Sequence, residues 1–234
     1  MDISIFDVVG PVMIGPSSSH TAGAAALSRI GREIIGEPFS HVSFGLHGSF
    51  ADTGAGHGTD RALVAGALGM RPDDERLRDS FRLAKDIGMS YDFHRVELDD
   101  VHENTVQMVF TLRSGRKREI IGSSIGGGRI VITRIDGYET ALTAQTNTIM
   151  VEHQDVPGVV SGITRALALN HINIANMQLA RKSRGDMAFT IIEVDQNIDD
   201  MTLHDIDWVN GVKRVQVIGT VESLADAMEG MLYV

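Results

Sequence analysis

Beyond Asn147 the chain changes hydrophobic period repeatedly, and the order of those changes fits few folds. A strand-like run TIMVEH meets the loop QDVPG and then a helical run, VVSGITRALALN. INIANMQLAR, the turn KSRGD and MAFTIIEVD follow as a pair of strands, and a short helix near LHDIDWVN leads to a final strand, VKRVQVI. Strands are marked by alternation and helices by apolar residues three and four apart. The order is βαββαβ, a ferredoxin-like unit over residues 148–220. The segment ESLADAMEGML predicts a short helix in a tail over residues 221–234.

Residues 1–143 follow another pattern. The run AGAAALSRIGREII is rich in helix formers and puts Ala26, Ile30 and Ile34 on one face, with Ser18 or Ser19 as its N-cap. FSHVSFGLHG alternates as a strand and meets the glycine-rich segment ADTGAGHGTD, expected as a turn before a helix in DRALVAGALG. An amphipathic helix is expected in DDERLRDSFRLAKDIGM, with Leu77, Phe81 and Ala84 inward. β-like runs YDFHRVEL, TVQMVFTLR, REIIGSSI and RIVITRI complete the region. The fold class is therefore α+β: helices packed on a mixed sheet, then the ferredoxin-like unit, with the boundary between about residues 140 and 148.

The chain has 234 residues, room for one large domain or two small ones, and a formal net charge of −10. That charge repels a phosphate backbone and an anionic lipid surface, so neither nucleic acid nor membrane is an expected partner. The one basic cluster, RSGRKRE, centres on Ser114-Gly115 between two β-like runs and reads as a solvated hairpin turn. The start carries no basic leader, and a cytoplasmic protein is expected. Cysteine is absent, which excludes a disulfide, a thiolate-bound zinc or an iron–sulfur cluster on this chain's own ligands.

Three segments hold candidate chemistry. In GPSSSHTAG, three consecutive serines precede His20 and Thr21. One serine suffices for a cap; the others, at a helix start, make a cradle for a carboxylate, with His20 placed to neutralise it or move a proton. In GSFADTGAGHGTDRA, glycines leave His57 poorly shielded, either as a plain surface histidine or as one open to a substrate. Gly54, Gly56 and Gly58 miss the G-x-G-x-x-G spacing of a dinucleotide turn. His41, His47, His57 and His94 have no metal-ligand spacing, and no metal is assigned to the chain. In EHQDVPGVV, Pro157-Gly158 makes a tight strand-to-helix turn. That loop is either a turn only or an amino-acid site, with helix amides for the carboxylate and Asp155 for the ammonium.

The C-terminal unit resembles the ACT domain family in DVPG, in HINIANMQL with Asn173, and in GDMAFTIIEVD. The resemblance implies pairing between copies and binding of a small effector, with His153, Asp155, Pro157, Gly158 and Asn173 as effector-site residues. Serine-sensing members often carry Asn where this chain has Asp155.

MDISIFDVVGPVMIGPSSSHTAGA and LHGSFADTGAGHGTDRALVAGALG resemble the beta chains of bacterial iron–sulfur-dependent L-serine dehydratases, over essentially the whole chain. The resemblance implies a lyase converting L-serine to pyruvate and ammonia, with a [4Fe–4S] cluster held by the cysteines of a separate alpha chain. It implies catalytic roles for His57 and His20 and substrate contacts for Ser17, Ser18, Ser19, Thr21, Gly58, Thr59 and Asp60, with Thr59 and Asp60 steadying the His57 tautomer. The first region also resembles the allosteric substrate-binding domain of some 3-phosphoglycerate dehydrogenases. The alternatives are thus a purely regulatory serine-binding subunit and a free-standing amino-acid-binding protein.

Overall fold

The computed structural model describes residues 13–221; the expected tail helix lies outside the described residues. Within them, one compact unit ends at Gly137 and a second begins at Tyr138.

In the first unit, a π-helical turn Ser18–Gly23 leads into α1, Ala24–Ile35. β1, Phe39–Leu46, is followed by α2, Gly48–His57, and α3, Thr59–Ala67. A 3₁₀ turn Glu75–Asp79 continues into α4, Ser80–Asp86, and β2, Ser90–Arg95. Next come β3, Thr105–Leu112, β4, Lys117–Gly126, β5, Arg129–Ile135, and β6, Tyr138–Leu142, at the start of the second unit. Within the first unit the strands lie side by side in the order β2-β1-β3-β4-β5. β1 and β2 run parallel, whereas β1–β3, β3–β4 and β4–β5 are antiparallel, so the α+β expectation of a mixed sheet holds. A parallel pair needs a crossover, and α2, α3 and α4 supply it.

The core forms where α1 and α3 lie together over the sheet. Leu27, Ile30 and Ile34 of α1 and Leu63 of α3 are fully buried, as are Phe44, Met108, Phe110, Ile120 and Ile132 of the strands. The basic cluster sits in the β3–β4 hairpin, where Gly115 N donates to Leu112 O at 2.9 Å. Arg118 turns inward and pairs with Asp136.

Two local expectations are corrected. Ser17, rather than Ser18 or Ser19, is the N-cap: its Oγ accepts from His20 N at 3.1 Å, because the chain is already helical at Ser18, before the alanine-rich run begins at Ala22. The glycine-rich segment is α2, a helix, and not a turn. Each interior glycine costs about 1 kcal/mol relative to alanine, but tertiary contacts outweigh this. Ser49 N is held by Glu103 O at 2.9 Å, Phe50 is fully buried, and Gly54 makes room for Thr59, whose Cβ would lie 3.2 Å from a Cβ there. The real break is Gly58, whose φ of +71° separates α2 from α3.

The second unit runs β7, Asn147–Gln154, α5, Val159–Leu169, β8, Ile174–Arg181, β9, Met187–Val194, α6, Asp200–Asp207, and β10, Val212–Ile218. Its four-stranded sheet has the order β10-β7-β9-β8, the expected βαββαβ arrangement. Ile149, Val151, Ile192 and Val194 meet Ile163, Leu167 and Ile206 in its core. Asp199 caps α6 by accepting from Thr202 N at 2.8 Å. Among the described residues no helix is long and apolar enough to cross a membrane.

Candidate active site

The SSSHT turn and one face of α2 meet around His20. The Ser17 carbonyl accepts from Thr21 N at 3.0 Å and Ala22 N at 3.3 Å, and this π-type closure holds the turn. On α2, Ser49, Thr53 and His57 recur every fourth residue and share a helix face. His20 Nε2 lies 3.1 Å from Ser49 Oγ and 3.0 Å from Thr53 Oγ1, while Nδ1 lies 3.2 Å from Ser19 Oγ. The buried Phe50 ring stands edge-on to the imidazole, with centroids 5.3 Å apart. His57 is exposed; its ring centroid is 5.1 Å from that of His20, at a 50° tilt. Among the described residues the His57 ring has no hydrogen-bond partner, so both of its nitrogens are open to an incoming molecule.

The other expected residues are placed differently. Ser17 and Ser18 are half-buried in the turn. Thr21 is buried and its Oγ1 donates to His57 O at 3.0 Å, tying the turn to the end of α2. Thr59 is fully buried beneath Gly54, and its hydroxyl has no partner among the described residues. Asp60 Oδ1 accepts from Arg61 N at 2.8 Å, at the start of its own helix. Sequence reasoning misses Ser49 and Thr53; a fourfold polar spacing ending at His57 is the signal that finds them.

Burial, and then the positive charge that His57 can carry, lower the His20 pKa from 6.5, against a smaller opposing effect of the Ser49 backbone. Folded His20 therefore holds its proton less tightly than the unfolded chain does. It subtracts stability as pH falls through about 6.5 and has no effect well above that value. Replacing His57 by Ala removes the second cause, and the His20 titration midpoint, followed by NMR, is expected to rise. An unmoved midpoint would mean that the two rings do not sense each other.

In the second unit, His153 is buried with both ring nitrogens engaged, Nδ1 with Gln154 O at 2.8 Å and Nε2 with Thr190 Oγ1 at 2.7 Å. Asp155 Oδ2 accepts from Arg181 Nη1 at 2.7 Å and Gly185 N at 3.2 Å, and these bonds, the Arg181 one first, hold its carboxyl below the usual range. Pro157 is exposed and Gly158, at φ +97°, opens α5. Asn173 lies just before β8 and donates to Asp195 Oδ2 at 2.6 Å. The register pairs Ile174 with Val194 but Arg181 with Ala188, which faces His153, so Asn173 and His153 occupy opposite ends of one sheet.

Fold and site together define a two-part protein: a mixed α+β unit carrying a histidine-and-hydroxyl cluster, and a ferredoxin-like unit of ACT type. The chain belongs to the serine dehydratase beta chain family, whose model matches residues 4–134, with an ACT domain matched over residues 147–200. It is 40% identical over 215 residues to the probable L-serine dehydratase beta chain of Bacillus subtilis (strain 168), covering 92% of this chain and 97% of that one. The L-serine dehydratase beta chain of Peptoniphilus asaccharolyticus is 40% identical over 200 residues, 85% of this chain and 90% of that one. A D-3-phosphoglycerate dehydrogenase of Bacillus subtilis (strain 168) is 25% identical over 199 residues, 83% of this chain but 37% of that one.

Proposed function

We propose that this chain supplies proton-handling and substrate-holding groups to a cytoplasmic L-serine ammonia-lyase that forms pyruvate and ammonia. The observation that carries the reading is the exposed His57 imidazole, without a hydrogen-bond partner among the described residues, beside a His20 ring pinned by hydroxyls. His57 takes the α-proton of L-serine as the β-hydroxyl leaves; the resulting enamine takes up water and yields pyruvate and ammonia. An imidazole suits proton abstraction near neutral pH, and Gly56 and Gly58, with open space where side chains would stand, let the substrate approach. Ser17 and Ser18 hold the carboxylate with the turn's amides, Ser19 stands between it and His20, and Thr21, Thr59 and Asp60 keep the frame that presents Gly58 and His57.

The iron–sulfur cluster of such lyases does not fit this chain's residues. There is no cysteine, and among the described residues no group of three or more His, Cys, Asp or Glu side chains is placed to hold a metal ion. On this reading the [4Fe–4S] cluster belongs to a separate cysteine-bearing alpha chain. The ACT unit senses an amino acid: an effector ammonium competes with Arg181 for Asp155, its carboxylate takes the amides at Gly158, and pairing of ACT units between copies brings Asn173 of one near the loop of another.

The match to a phosphoglycerate dehydrogenase supports a second reading, a regulatory serine-binding subunit. Anaerobic pyruvate release from L-serine separates the two, assayed with this chain, with the reconstituted alpha chain and with both. Activity in the mixture alone is expected; full activity of the alpha chain by itself would leave this chain a regulatory role.

A further inference from the structure

The hydroxyls around His20 decide which of its nitrogens carries the proton. Thr53 has one hydroxyl proton, and it is directed at the Ser49 carbonyl 2.9 Å away. With that proton on the carbonyl, the same oxygen accepts toward His20 Nε2, at 3.0 Å, which is the arrangement that puts the ring proton on Nε2. Ser49 Oγ, 3.1 Å from Nε2, takes a second share of that N–H. Burial and the neighbouring His57 favour the neutral ring. A neutral ring protonated at Nε2 has its lone pair at Nδ1, which faces Ser19 Oγ at 3.2 Å. Ser19 is then the donor in that bond. Its proton is committed to His20, and its oxygen offers only lone pairs to the site.

We propose that Thr53 is a positioning residue that holds His20 as the Nε2–H tautomer and so makes Ser19 and His20 a proton-accepting relay. The α-proton that His57 has taken, passed on to Ser19 Oγ, displaces Ser19's own proton onto Nδ1; His57 returns to its neutral form and the His20 ring becomes an imidazolium braced by Thr53 and Ser49. The carboxylate then falls to Ser17, Ser18 and the turn's amides. The catalytic part of this inference rests on the lyase reading above; the tautomer does not.

The test uses the chain labelled with ¹⁵N-histidine, as wild type, Thr53→Val and Thr53→Ser, with His20→Gln to assign the signals. Above the titration of His20, wild type and Thr53→Ser are expected to show a protonated Nε2 and a bare Nδ1. Thr53→Val keeps the shape and removes one of the two acceptors; Ser49 Oγ, which can turn its own proton to Nε2, then fixes neither form, and both tautomers are expected. In the two-chain enzyme, Thr53→Val should lower kcat roughly 10-fold with KM little changed, and Thr53→Ser should restore it. A wild-type His20 protonated at Nδ1 would overturn the tautomer assignment, and a Thr53→Val spectrum identical to wild type would overturn the positioning role of Thr53. Changed tautomers with an unchanged kcat would overturn the relay. An inactive wild-type mixture would count against the lyase reading, while the spectra still decide the tautomer.

Discussion

His57→Ala in the reconstituted two-chain enzyme is expected to lower kcat by about 100- to 10,000-fold, the range lost when a positioned general base is removed. Binding of L-serine should survive, because the groups assigned to its carboxylate lie on the SSSHT turn and not on His57. Stability should move by no more than about 0.5 kcal/mol, since the exposed His57 ring makes no hydrogen bond among the described residues. A kcat loss with an intact thermal transition is therefore a statement about chemistry. The measurement is pyruvate release under anaerobic conditions, with melting followed on the same preparations. Near-normal turnover of the variant would remove His57 from the base role and turn attention to the regulatory reading, in which the variant changes only the response to serine.

What the sequence made legible, and what it hid, followed one physical rule. Strands with one buried face declare themselves by alternation, as β3 and β5 do, whereas β4, β7 and β9 are buried on both faces over much of their length and are marked by their runs of apolar and β-branched residues. α2 is hidden because local propensity and tertiary anchoring disagree there. Four of its ten residues argue weakly or strongly against a helix on their own: Gly48, Gly54, Gly56 and the polar Asp52. Only the anchors from Glu103, Phe50 and Thr59, which have no sequence signature, overcome that local preference. Once the segment is helical, Ser49 and Thr53 fall beside His20 without further assumption. The ACT loop teaches a related lesson. His153 ends the strand-like run TIMVEH, and strand alternation carries Ile149, Val151 and His153 onto one face, where all three are buried. The separation of Asn173 from that loop is a property of antiparallel pairing between β8 and β9, which a motif read along the chain does not contain.

Gly66→Val is expected to cost about 3 kcal/mol or more, the upper part of the range for forcing extra atoms into a packed core. The reason is the crossing of α1 and α3. A Cβ at Gly66 would overlap Ala25 O and stand 2.8 Å from both Arg29 N and Ser28 Cβ. Backbone atoms of a neighbouring helix cannot rotate aside, so the helices must separate, and the fully buried Leu27, Ile30 and Leu63 lose contact with them. For a chain of this size such a loss lowers the melting temperature by roughly 6–12 °C. Gly56→Ala is the control: it is also a helical glycine, but a Cβ there meets nothing within 4 Å. It is expected to leave stability unchanged or raise it by up to about 1 kcal/mol, through reduced freedom of the unfolded chain. Thermal melts of the two variants separate a packing requirement from a general intolerance of side chains at helical glycines. Equal losses at both positions would show that the α1–α3 crossing is not what makes Gly66 necessary. A destabilised Gly66→Val with an unharmed Gly56→Ala would place the rigid part of the first unit at that crossing. The SSSHT turn runs directly into α1, α2 meets α3 at Gly58, and Thr21 Oγ1 ties the turn to His57 O, so a change in how closely α1 and α3 pack reaches the two segments that carry His20 and His57.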